Sequence, residues 1–180
     1  MPRLPYLPAD LAEPSTVVDA IRQRRGGRLL HLDRQLLHSP AVAHGWNVFL
    51  GAMRGDLALE PRLRELAMCA VAIVNGAEYE YVHHAPLLIA AGATQGQADA
   101  LRRIDEAAVD AELFDERERA VLAFTIESTR HVAVSDATFD RARRLLGSDR
   151  LMFELIATVA AYNMVSRVLV AIGVEPEDSH

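Results

Sequence analysis

The chain reads as an all-α protein. Three observations carry that reading. Apolar residues recur at three and four positions from Thr16 onward, prolines and glycines fall where helices begin and end, and no stretch shows the period of two that a strand requires. The length of 180 residues suits one domain, and 51% hydrophobic with 24% charged is the composition of a folded globular chain.

Pro2, Pro5, Pro8 and Pro14 make residues 1–15 an extended arm, since proline lacks the amide donor a helix needs. Ser15 or Thr16 can cap a first helix, which runs through Arg24 and stops at Gly26-Gly27. Pro40 opens a second, with Val42, Trp46, Phe49 and Met53 as its apolar line. Pro61 opens a third, lined by Leu63, Leu66, Ala70, Ile73 and Val74, and Asn75-Gly76 closes it. A fourth covers about 77–91, ends at Gly92 and is expected to kink or break at Pro86. Thr94 caps a short helix to about Ile104. The acidic stretch 105–116 reads as a linker with at most one helical turn. Helices over 116–129, 135–146 and 149–172 complete the chain, and a solvated, mobile tail is expected at 175–180. The last helix is apolar on nearly every face, so it should be central or lie at a subunit contact.

Composition excludes several chemistries. All 19 basic residues are arginine, which removes a lysine Schiff base and a P-loop lysine. A net charge of -6 argues against a nucleic-acid surface. One cysteine, Cys69, rules out an intramolecular disulfide and a CxxC redox pair. No secretory signal is expected from MPRLPYLPADLAEP, and the apolar runs 66–74 and 155–165 fall short of the ~20 residues of a membrane span. A cytoplasmic protein with neither nucleic acid nor membrane as partner is the expectation.

The polar chemistry concentrates on two helices. Glu65 is the one charged group on a stripe with Met68, Cys69 and Ala72, and a carboxylate there carries a desolvation cost unless a partner satisfies it. On the next helix Glu80 and His84 are four apart and share a face, while His83 points about 100° away. A tight Asn75-Gly76 turn between antiparallel helices would carry Glu65 towards that face and assemble a Glu–Glu–His cluster. The plainer alternative is a solvated Glu80–His84 pair and a Glu65 that merely complements its helix dipole. Glu80-Tyr-Val-His83 also spells half of a carboxylate-bridged di-iron motif, but no second half exists, so no metal site is expected. His31, His38 and His44 read as surface or packing residues, and RRGGR (24–28) as a solvated helix end. Asn163 and Arg167, four apart in the last helix, either brace that helix or bind an anion.

The run RLRELAMCAVAIVNGAEYEYVHHAPLLIAAGATQGQADAL (62–101) resembles the carboxymuconolactone decarboxylase family of the alkylhydroperoxidase D-like superfamily. LPYLP, FDERERAVLAFTIEST, VSDATFDRARRLL and ELIATVAAYNMVSRVLVAIGV extend the resemblance over most of the chain. It implies an alkylhydroperoxidase D-like helical bundle over 16–174, assembled as trimers or hexamers. The peroxidase branch carries Glu, then Cys-x-x-Cys, then His four residues on. In this sequence those slots hold Glu65, Ala77, Glu80 and His84, so both thiols are missing. Cys69 lies one helix earlier and cannot stand in for them.

The resemblance therefore implies a decarboxylase-like enzyme, a carboxy-lyase, and not a thiol peroxidase. Its substrate would be a small carboxylated lactone or related acid, which supplies its own electron sink, so no cofactor is called for. His84 would donate a proton to carbon, Glu65 would orient the imidazole, and Glu80 would tune it or accept a proton. His83 and Arg167 are candidates for binding substrate. Two carboxylates beside an anionic substrate need a cation, and Arg62, Arg64 and Arg167 are the candidates. An isomerase, cyclase or hydrolase using the same Glu–His pair, or a non-catalytic oligomer in which these residues form a structural network, remains the alternative.

Overall fold

Helix boundaries in the computed structural model, which describes residues 2–177, follow the punctuation of the sequence closely. The helices are α1 (Ser15–Arg24), α2 (His31–Leu36), α3 (Pro40–Gly55), α4 (Pro61–Asn75), α5 (Glu78–Ala90), α6 (Gln95–Ala100), α7 (Ile104–Ala107), α8 (Glu116–His131), α9 (Asp136–Leu146) and α10 (Asp149–Ile172). A 3₁₀ turn at Leu101–Arg103 joins α6 to α7, and no strand occurs among the described residues. The chain divides into two units, residues 2–57 with 169–177, and residues 58–168.

In the first unit the amino-terminal arm carries no helix before Ser15. It is tied down by side chains of the 28–38 segment, where α2 is a helix that periodicity did not reveal. Gln35 Nε2 donates to the Leu4 carbonyl (2.9 Å), Arg34 Nε to the Leu7 carbonyl, and His38 Nε2 lies 2.8 Å from the Pro5 carbonyl. Six residues are too few to show a repeat. What sets α2 is Asp33, buried, accepting from the Leu30 amide at 3.0 Å and pairing with Arg25 at 3.2 Å. Ser15 is not the cap of α1; Pro14 occupies that position, and Glu13 Oε2 accepts from the Ser15 amide at 2.9 Å. The buried line of α3 is Ala43, Trp46, Leu50 and Met53, so Val42 and Phe49, expected inward, are exposed. Glu175 and Glu177, expected in a solvated tail, are both held: the Glu175 amide donates to the Tyr6 hydroxyl (3.1 Å), and Glu177 Oε1 accepts from the His31 amide (2.7 Å). The rest of that tail, 178–180, lies outside the described residues.

The second unit is built on α4. Every residue from Leu63 to Ala72 is buried, because α4 packs against both α5 and α8. Gly76, at φ +65°, ends α4 in the left-handed conformation and turns the chain directly into α5. Pro86 does not break α5. The carbonyl that loses its i+4 donor belongs to Val82, whose side chain is exposed, so water can serve it. Thr94 caps α6 as expected: its Oγ1 accepts from the Gln97 amide (3.1 Å) while Gln97 Oε1 accepts from the Thr94 amide (2.9 Å). Arg62 ties three segments together, donating to Glu118 Oε1 (2.6 Å), the Gly92 carbonyl (2.7 Å) and Gln97 Oε1 (3.3 Å).

With 24 residues and an 18-residue stretch of mean hydropathy 1.8, α10 is long and apolar enough to cross a membrane, which the shorter runs noted in the sequence did not suggest. Its Leu155, Thr158, Val159, Tyr162 and Ser166 are nonetheless fully or almost fully buried in protein. It is not apolar-buried all round; Phe153, Met164 and Val170 are exposed.

Candidate functional site

The α4–α5 hairpin brings Glu65 and His84 into contact. Both side chains are buried, and His84 Nδ1 lies 2.6 Å from Glu65 Oε2. A carboxylate accepts only, so Nδ1 carries the proton in this bond. The imidazole also meets Tyr162 of α10 edge-to-face, with ring centroids 4.9 Å apart. One helical turn before His84, Glu80 is 1% exposed, and its Oε2 accepts from Ser166 Oγ at 2.8 Å. Tyr162 and Ser166 are four apart on α10, so one face of that helix addresses the imidazole with the first and the second carboxylate with the second.

Cys69 sits among these groups with no exposed surface. Burial pushes its thiol far above the ordinary cysteine range, and the Glu65 and Glu80 carboxylates push in the same direction. A thiolate is the reactive form, so this sulfur is inert in the folded chain.

The remaining candidates fall elsewhere. His83 is half-buried, stacks on Tyr79 with ring centroids 4.2 Å apart, and has Nδ1 2.6 Å from the Tyr79 carbonyl. Arg167 is exposed and donates to the carbonyl and to Oδ1 of Asn163, both at 3.0 Å. That is the bracing arrangement, and Asn163 extends it by donating to Thr129 Oγ1 (3.0 Å) and accepting from Asn75 Nδ2 (3.1 Å). Glu80 and His83 turn to different partners, and among the described residues no group of three His, Cys, Asp or Glu side chains could hold a metal ion. Ser166 was missed by sequence reasoning. The signal available was a hydroxyl four residues after Tyr162 in an otherwise apolar helix, where an unsatisfied polar group is costly and a partner is implied.

The model of the carboxymuconolactone decarboxylase family matches residues 40–127, a span that contains Glu65, Glu80 and His84. Over that span, just under half of the chain, the sequence is similar to the carboxymuconolactone decarboxylase family. Solved structures with the same fold include a peroxidase-related protein from Silicibacter sp. TM1040, at 19% identity and TM-score 0.80 over 98% of this chain and 92% of that one. An alkylhydroperoxidase AhpD core protein from Ralstonia eutropha JMP134 matches at 22% identity and TM-score 0.80, over 98% and 93%. The debrominase Bmp8, in a cysteine-to-alanine variant bound to 2,3,4-tribromopyrrole, matches at 17% identity and TM-score 0.77, over 96% and 90%. No curated protein sequence matches. The two positions where the resemblance places the cysteine pair hold Ala77, the buried residue just before α5, and Glu80, the buried partner of Ser166.

Proposed function

We propose that the protein is a carboxymuconolactone decarboxylase-like carboxy-lyase. It acts on a small carboxylated lactone or related acid by cofactor-free acid–base chemistry at His84, Glu65 and Glu80. The observation that carries this reading is the buried 2.6 Å bond between His84 and Glu65. A buried imidazole fixed by a carboxylate is a proton carrier with a set orientation, and the family's thiol chemistry has no nucleophile here.

In the reaction the bond to the substrate carboxylate breaks and carbon dioxide leaves. Its electron pair passes into the conjugated lactone carbonyl. His84, protonated on both nitrogens, then delivers the Nε2 proton to carbon, and solvent restores that proton for the next cycle. Glu65 supports the imidazolium through Nδ1. Tyr162 packs its edge against the ring and limits its rotation. Such acid–base assistance supplies about 10²–10⁴-fold, and the dry core supplies the remainder by stripping water from the carboxylate.

A stripe of α10, residues Phe153, Ala157, Ala160 and Met164, runs at i, i+4, i+7 and i+11 with Phe153 68% exposed. It supports a homo-oligomer, a trimer or hexamer, with the stripe as part of the contact.

The test is carbon dioxide release from a panel of carboxylated γ-lactones. His84→Gln should lose turnover by 10²-fold or more with its melting temperature nearly unchanged, and Cys69→Ala should retain turnover. Equal turnover in wild type and His84→Gln would overturn the reading.

A further inference from the structure

We infer that Arg64 is the residue that receives the carboxylate of an acidic ligand at this site, an inference that rests on the reading of Glu65 and His84 just given. Two buried carboxylates leave the site short of positive charge for an anionic substrate. Of the three arginines that the sequence offers, Arg62 is spent on Glu118, Gly92 and Gln97, and Arg167 on Asn163. Arg64 is different. It is 8% exposed, its Nε is fully enclosed without a hydrogen-bond partner, and among the described residues its guanidinium makes no ion pair.

A guanidinium in that position is expensive to keep. Its charge is largely desolvated, and it stands in the first turn of α4, where the helix dipole disfavours a cation. Buried charges in folded proteins are paired, so an arginine this enclosed without a partner marks a place where a ligand completes the pairing. The planar fork of arginine suits a carboxylate bidentately.

Placement agrees with the role. Arg64 adjoins Glu65 in the chain and shares a stripe of α4 with Met68, Val71 and Asn75, spaced i, i+4, i+7 and i+11. Asn75 of that stripe bonds Asn163 of α10. The stripe therefore borders the helix that brings Tyr162 to the imidazole and Ser166 to Glu80. A carboxylate on Arg64 would sit beside the turn of α4 that carries Glu65.

The experiment is calorimetric titration with 5-oxotetrahydrofuran-3-carboxylate, a carboxylated γ-lactone, and with its neutral methyl ester. Wild type should bind the acid and not the ester. Arg64→Met and Arg64→Gln should weaken the acid at least tenfold, and Arg64→Lys should recover part of that loss. Because the guanidinium has no hydrogen-bond or ion-pair partner among the described residues, Arg64→Met should melt at or above the wild-type temperature and keep the wild-type mass in light scattering. Undiminished binding by Arg64→Met, or no binding by wild type, overturns the assignment. A melting temperature lowered by several degrees, or a smaller assembly, would give the guanidinium to the fold or to a subunit contact, and would equally overturn it. Acid binding that depends on Arg64, with no carbon dioxide released from lactones whose carboxylate-bearing carbon is conjugated to the lactone carbonyl, leaves this assignment standing and removes the decarboxylase reading. Turnover with KM unchanged in Arg64→Met does the reverse.

Discussion

At the scale of single residues, the site is defined by what burial does to three kinds of group. His84 and Glu65 bond to one another, Glu80 accepts from Ser166 through one carboxylate oxygen, and burial keeps the Cys69 thiol protonated. The cysteine gives a prediction with a definite sign. Its folded-state pKa is raised, so in the unfolded chain the thiol ionises near its ordinary value of about 8.5 while the folded chain keeps the proton. Above that pH the unfolded state binds fewer protons, and stability falls as pH rises. Between pH 8.5 and 10, wild type should lose stability more steeply than Cys69→Ala, by up to about 1.4 kcal/mol per pH unit. Urea unfolding across that range measures it. Parallel slopes would show that the thiol is not held protonated. Native protein at pH 8 should also resist thiol-reactive reagents, with labelling appearing only on unfolding.

At the scale of helices, the α4–α5 hairpin does the positioning, and Gly76 is its pivot. A Cβ at Gly76 would meet nothing within 4 Å, so Gly76→Ala tests backbone conformation alone. At φ +65° the substitution should cost roughly 1–2 kcal/mol in denaturant unfolding. It should lower turnover too if the Glu65–His84 distance depends on the turn. An unchanged midpoint would show that the hairpin is fixed elsewhere. The sequence made this hairpin legible because its signals are local: Pro61 to start, Asn75-Gly76 to turn, and Glu80 and His84 on one face four residues apart. Helix α2 was not legible, because six residues stabilised by the buried Asp33 and its arginines carry no repeat to detect. The inward face of α3 was misassigned by one position, since Val42 and Phe49 are apolar yet exposed, and residue type alone does not say which of two adjacent stripes is covered. Pro86 was expected to break α5, and the break is absent because the affected turn faces solvent.

At the scale of the whole molecule, the fold class and the family were readable because the helical pattern and the 62–101 motif run through the whole of α4 and α5. The contribution of α10 was only half readable. Asn163 and Arg167 stood out as polar within an apolar run, but which carboxylate Ser166 serves is a long-range fact that no local pattern contains. The assembly belongs to this scale as well. The proposed trimer or hexamer, implied by the family resemblance and supported by the exposed stripe of Phe153 and Met164, gives a mass by light scattering of three or six chains. Phe153→Glu together with Met164→Glu should lower that mass while the helical circular dichroism is kept. A wild-type mass of one chain would contradict it.

The central claim is that a buried imidazole, oriented by a carboxylate and unaided by sulfur, hands a proton to carbon. Turnover of a carboxylated lactone in deuterium oxide, read by mass spectrometry, tests it most directly. Wild type and Cys69→Ala should each place one deuterium on the carbon that loses carbon dioxide, and His84→Gln should place none above the uncatalysed background. Deuterium incorporation by His84→Gln at the wild-type rate would contradict the account.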